Sequence, residues 1–212
     1  MRTAVSRPGI AAPVAALAGL TLAAWLALPH LDMMTSRPLA FVFAWTVMMT
    51  AMMVPSSMPF VLVYGPRGRT PLLAGYLLVW ALTGIAVYAL AMSVDLMDVP
   101  AVGVAAVLAV AGVYQFTPLK DVCLRACRSP LDFIAVRWGR NPLRLGAEHG
   151  LYCLGCCWAL MAVLVLAAAM SLTAALLIAA VVFAEKVLPA GRWTARLTGL
   201  VLLGSAIVVL VF

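Results

Sequence analysis

Apolar side chains run along this chain in long blocks, separated by short segments that hold nearly all the charge. Seven blocks stand out, at residues 10–28, 39–63, 71–93, 100–116, 149–170, 173–187 and 197–212. A helix rises 1.5 Å per residue, so about 20 apolar residues cross the roughly 30 Å of bilayer hydrocarbon. The sixth and seventh blocks are short for that task. The fifth and sixth share one uncharged stretch, residues 149–184, and divide at its polar interruption, residues 170–173. The blocks are too long and too uniformly apolar for barrel strands, and lipid offers the backbone no hydrogen bonds, so each is expected to be a helix. The pattern predicts an all-α polytopic transmembrane bundle of about seven spans.

Composition agrees with that pattern. Of 212 residues, 66% are hydrophobic and 10% charged, which lies far outside the balance of a globular domain. The whole chain, 1–212, is expected to be one integral-membrane helical domain, with 117–146 as a cytoplasmic interfacial segment. The formal charge of +7 raises the question of nucleic acid. No basic patch is interleaved with aromatics, so none is expected as a partner. The charge instead marks topology. With the N-terminus inside, thirteen of the fourteen basic residues fall in inside segments, and Arg37 alone falls outside with Asp32, Asp95 and Asp98. That asymmetry predicts an N-in, C-out chain in the cell inner membrane. Arg2 and Arg7 precede an apolar run longer than a signal peptide's usual core, so the first helix is expected to stay uncleaved.

Candidate chemistry lies on the inside face. The five cysteines, Cys123, Cys127, Cys153, Cys156 and Cys157, all fall there. Cytosolic reductants keep such thiols reduced, so metal binding or redox chemistry is a better class of explanation than structural disulfides. The stretch HGLYCLGCC opens the fifth block. With about 100° per helical residue and His149 at zero, Cys153 falls near about 40°, Cys156 near about −20° and Cys157 near about 80°. Four ligand-type side chains thus share one stripe, and Trp158 points away from it. Thiolates with one imidazole suit a soft or borderline ion, copper as Cu(I) first and zinc next. With the fifth helix expected to start at His149, the positive end of its dipole also favours thiolates there. The bland reading of any one such cysteine is a small buried hydrophobe.

One helix does not wrap an ion alone. Cys123 and Cys127, at i and i+4 between Pro118 and Pro130, fit one face of a short interfacial helix and are candidate further ligands. Met52 and Met53, in the run AWTVMMTAMMVPSSMP with Met48 and Met49, offer thioethers, although methionine also fills cores. Glu185 ends the sixth block beside Lys186; it is read as an oxygen ligand, as a partner of His149, or as an ion-pair partner of Lys120 or Lys186. Tyr114 and Gln115 end the fourth block at a similar depth. His30 stands alone at the opposite end, which argues against a bis-histidine haem. No catalytic residue is identified.

The blocks AWTVMMTAMMVPSSMP, YQFTPLKDVCLRACRSPLDF, GAEHGLYCLGCCWALM and AEKVLPAG resemble a bacterial family of unknown function, described as predicted metal-binding integral membrane proteins. The resemblance covers most of the chain from the second block onward, and HGLYCLGCCW is its most specific part. It implies an integral membrane fold and metal binding at these blocks, and it implies no particular reaction. The expected function is handling of a soft ion, copper or zinc, by a Cys/His cluster at the cytoplasmic side. The alternative is a metal- or thiol-dependent membrane redox enzyme or a subunit of one. Expected partners are the lipid bilayer and the metal ion, with a second membrane subunit or further copies of the chain left open.

Overall fold

The computed structural model describes residues 10–32, 35–93, 99–166 and 171–211. Among them there are helices and turns but no strands. The helices are α1 (Ala11–Ala27), α2 (Pro38–Val63), α3 (Arg69–Ser93), α4 (Ala101–Tyr114), α5 (Pro118–Arg128), α6 (Pro130–Ala135), α7 (Pro142–Leu166), α8 (Leu172–Val187) and α9 (Gly191–Val211). Proline at the first helical position opens α2, α5, α6 and α7, where its missing N–H costs nothing. Thr117 caps α5 by accepting from the Lys120 N–H, and Ser171 caps α8 by accepting from the Ala174 N–H.

Five helical segments are long and apolar enough to cross a membrane: Ala11–His30, Pro38–Val63, Pro66–Ser93, Pro142–Leu166 and Gly191–Val211. A sixth arises if α4 and α5 count as one broken span; they meet at a bend of 64°. The sequence pattern led us to expect seven. The difference lies in α4, with 14 residues, and α8, with 16. At 1.5 Å per residue they reach only about 21 and 24 Å, short of the roughly 30 Å hydrocarbon core.

Helices α2 and α7 form the centre. Over half of each span is buried, 61% and 56%, against 17% for α1 and for α9 at the periphery. Helix α7 packs on α3, α4, α5 and α8, and α2 packs on α1, α3 and α8. Close approach of α3 and α7 is a backbone affair. A Cβ on Gly75 would meet the Leu143 carbonyl, and one on Gly146 would meet the Leu72 carbonyl. Small residues bring helices together in lipid because tight contact replaces the missing hydrophobic drive.

The fifth expected helix begins earlier than its pattern suggested. It starts at Pro142, with the Asn141 side chain accepting from the Leu143 N–H. Glu148, in its second turn, is ringed by Arg137, Arg140 and Arg144. These ion pairs carry charge through what looked like a loop, so residues 142–146 of the expected interfacial segment are helical. The cysteines of α7 therefore lie mid-helix, Cys153 about 16 Å from its start. Dipole stabilisation fades within the first turn, so it does not reach them. Arg2, Arg7, Asp95, Asp98 and the break at Met170 lie outside the described residues.

Candidate functional site

The site forms where α5 and α8 close over α7, with α2 and α3 behind. Cys123 and Cys127 lie on the buried face of α5, while Val122 and Arg125 face outward. All five cysteines are buried and reduced. Across the α5–α7 contact, the Cys127 and Cys156 sulfurs stand 3.9 Å apart. The Cys156 and Cys157 thiols both donate to the Cys153 carbonyl, at 3.1 and 3.0 Å. Cys123 lies over Gly155, where an added Cβ would come within 2.6 Å of its sulfur. Gly155 is thus the gap into which α5 fits. Tyr114 secures the same turn by donating to the Gly155 carbonyl, and its ring meets Trp158 edge-on at 5.0 Å. Trp158 faces outward, as its angle on the helix predicted.

Cys153 has a different environment. Lys186 of α8 donates to its sulfur at 2.9 Å, and the Tyr76 hydroxyl of α3 lies 3.0 Å from the same atom. Lys186 also approaches Ser56 Oγ at 3.5 Å and the Met53 sulfur at 3.8 Å. It is therefore surrounded by sulfur and oxygen and almost wholly buried. Met52 and Met53 are fully buried in the same core cluster as the cysteines, with Met48 and Met49.

Two predicted members stand aside. Glu185 turns to the other side of α8, where Lys120 pairs with it at 2.6 Å and Gln115 donates to it at 3.3 Å. Of the roles open to it, the ion pair with Lys120 is the one its side chain occupies. Arg128 donates to the Glu185 carbonyl at 2.6 Å and ties α5 to the end of α8. His149 stacks on Phe60 at 3.8 Å and meets Phe133 edge-on at 5.3 Å, and its buried Nδ1 has no hydrogen-bond partner. It lies within the aromatic cluster one helical turn before Cys153, so the stripe splits into an aromatic-packed end and a sulfur end. Among the described residues, no three His, Cys, Asp or Glu side chains stand together as a ready metal-holding group.

Sequence reasoning did not single out Tyr76, whose hydroxyl is one of several scattered polar groups on a mostly apolar helix. It treated Lys186 as a charge for Glu185. The signal was there: Glu185 and Lys186 are adjacent, so about 100° of helix separates them and they cannot share every partner.

The family model for PpoB2, described as copper chaperone, matches residues 42–209, more than three quarters of the chain. This chain belongs to that family. The copper chaperone family match spans α2 through nearly all of α9, so it includes every sulfur described above. The metal part of the resemblance noted from the sequence agrees with it. No curated protein and no solved structure matches the chain.

Proposed function

We propose that this chain is a membrane-embedded copper chaperone that holds Cu(I) between α5 and α7 through Cys127 and Cys156, beside Cys153. The 3.9 Å separation of the Cys127 and Cys156 sulfurs carries the reading. Two metal–sulfur bonds of about 2.3 Å at a tetrahedral angle span about 3.8 Å, and small rotations about χ1 open the pair further. Thiolates and thioethers are the ligands that favour Cu(I) over harder divalent ions, and the buried Met53 thioether lies 3.8 Å from the Lys186 ammonium that also contacts Cys153. Copper is here the cargo, and a pair of sulfurs suits a carrier that must also release it. Cys123, one turn before Cys127 on the same buried face of α5, offers a further sulfur beside the pair.

The basic end of the bundle sets the expected direction of entry. Arg69 donates to the last carbonyls of α2, Arg137 and Arg140 pair with Glu148, and Arg128 caps α8. By the positive-inside rule that end faces the cytoplasm of a bacterial inner membrane, and Cu(I) is loaded from there. Anaerobic competition between the purified chain and a chromophoric Cu(I) chelator tests the reading. About one ion per chain is expected, with affinity lowered more than about tenfold in Cys127→Ser and Cys156→Ser, since even outer-sphere changes cost that much. Less than about a third of an equivalent in the reduced wild type overturns it.

A further inference from the structure

The copper reading leaves a groove and a surplus of positive charge unused at the basic end of the bundle. The groove holds about 580 Å³ between the end of α2 and the segment from α6 to the start of α7. Val63, Leu131, Ile134 and Leu145 give it an apolar wall, and Arg137 and Arg140 also line it. Val63 is the last residue of α2 and Leu145 lies near the start of α7, so the groove sits level with the ends of two helices long enough to cross a membrane. Lipid headgroups lie at that depth, just outside the hydrocarbon core. Three guanidiniums, those of Arg137, Arg140 and Arg144, converge on the single carboxylate of Glu148, which leaves two positive charges in excess. Arg137 is held in place, since it donates to the Phe133 carbonyl at 3.3 Å and lies 3.9 Å over the Phe133 ring. Arg140 and Arg144 each make one hydrogen bond among the described residues, to Glu148, and keep N–H groups for another acceptor. Beside the groove, Val136 and Trp138 are 82% and 83% exposed, so the chain itself does not cover them. Gly139, at a φ of 83° that suits glycine, turns the chain from Trp138 back towards α7.

We propose that this groove binds one anionic phospholipid from the leaflet at the basic end of the bundle. The inference rests on the membrane placement of the helices and not on the copper site. The lipid phosphodiester accepts hydrogen bonds from Arg140 and Arg144 and offsets their surplus charge. One acyl chain lies along Val63, Leu131, Ile134 and Leu145, apolar surface that water would otherwise meet. Trp138 stands at the boundary, its ring towards the chains and its N–H towards the headgroups, as tryptophans do at membrane interfaces. Charge complementarity selects the anionic lipid, because each arginine at a membrane surface contributes about a fivefold preference for it. A zwitterionic lipid with the same chains fills the groove as well, but it brings its own cation to a site with two positive charges in excess.

Native mass spectrometry of the detergent-purified full chain tests it, with phosphatidylglycerol and phosphatidylcholine of identical acyl chains added in turn. The wild type is expected to retain one phosphatidylglycerol, at least about tenfold more tightly than phosphatidylcholine. The double change Arg140→Gln with Arg144→Gln is expected to weaken phosphatidylglycerol about 10- to 30-fold and to leave phosphatidylcholine within about threefold. Ala135→Phe, at an exposed position on the groove wall, fills the space with every charge kept and is expected to expel both lipids. Phosphatidylglycerol is also expected to raise the thermal midpoint of the wild type and not that of either variant, since a ligand of the folded state stabilises it. The wild-type comparison of the two lipids stands even where a variant fails to fold. Equal retention of the two lipids, no retention of phosphatidylglycerol, or phosphatidylglycerol binding that survives the arginine changes overturns the inference. Tighter binding of a poly-glutamate peptide than of phosphatidylglycerol assigns the surface to an acidic protein and overturns it too. Cu(I) uptake is read at the cysteines, so either reading can fail while the other stands.

Discussion

Glu185 and Lys186 are chain neighbours that serve two separate clusters. Glu185 joins α8 to α5 through Lys120, and Lys186 joins α8 to α7 through Cys153. Breaking a buried pair on one side leaves the other charge stranded, which costs more than the pair contributes. Glu185→Gln is therefore expected to lower stability by about 3–5 kcal/mol, read as a fall in the thermal midpoint of the detergent-solubilised chain. The double variant Lys120→Met with Glu185→Met is expected to recover most of that loss, and a double variant as unstable as the single one speaks against the ion-pair account. At this scale the sequence was partly legible. Ligand types and their shared face follow from residue identity and helical angle. Which partner each side chain takes does not, because Tyr76, Lys120 and Lys186 come from helices that only the fold brings together.

At the scale of elements, α7 shows where pattern reading stops short. Hydropathy alone places its start near His149, because Arg144 and Glu148 look like loop residues. The Asn141–Pro142 pair is the true start signal, and the charges are neutralised along the helix by Arg137 and Arg140. The i, i+4 placing of Cys123 and Cys127 between two prolines was readable, and α5 follows it. Glycines decide how near the helices stand. A Cβ on Gly146 would run into the backbone of α3 at Leu72, whereas Gly204 faces open space. Gly146→Ala is expected to force α3 from α7 and cost more than about 3 kcal/mol by overpacking. Gly204→Ala is expected to stay within about 0.5 kcal/mol, as ordinary surface changes do. Thermal unfolding of both variants under one detergent condition checks the contrast.

For the whole molecule, the fold class was plain from the blocks, while the number of spans was not. Composition reveals apolar length, but α4 and α8 depend on their neighbours for depth, and a 64° bend between α4 and α5 has no hydropathy signature. The charge asymmetry leads to an expected inside N-terminus and outside C-terminus. Alkaline phosphatase fused after residue 212 is then expected to be active and a fluorescent protein there dark; the reverse pattern means an even number of spans or an outside N-terminus.

The two charges at the end of α8 also bear on biogenesis. A 16-residue helix that carries a glutamate and a lysine is a poor candidate to partition into lipid unaided, since each such residue is unfavourable there by up to about 3 kcal/mol. Lys120, Arg128 and Cys153 all precede Glu185 and Lys186 in the chain, so they leave the ribosome first. Each charge on α8 therefore meets a partner that has already been synthesised, and the last fifth of the chain folds on terms set by the middle.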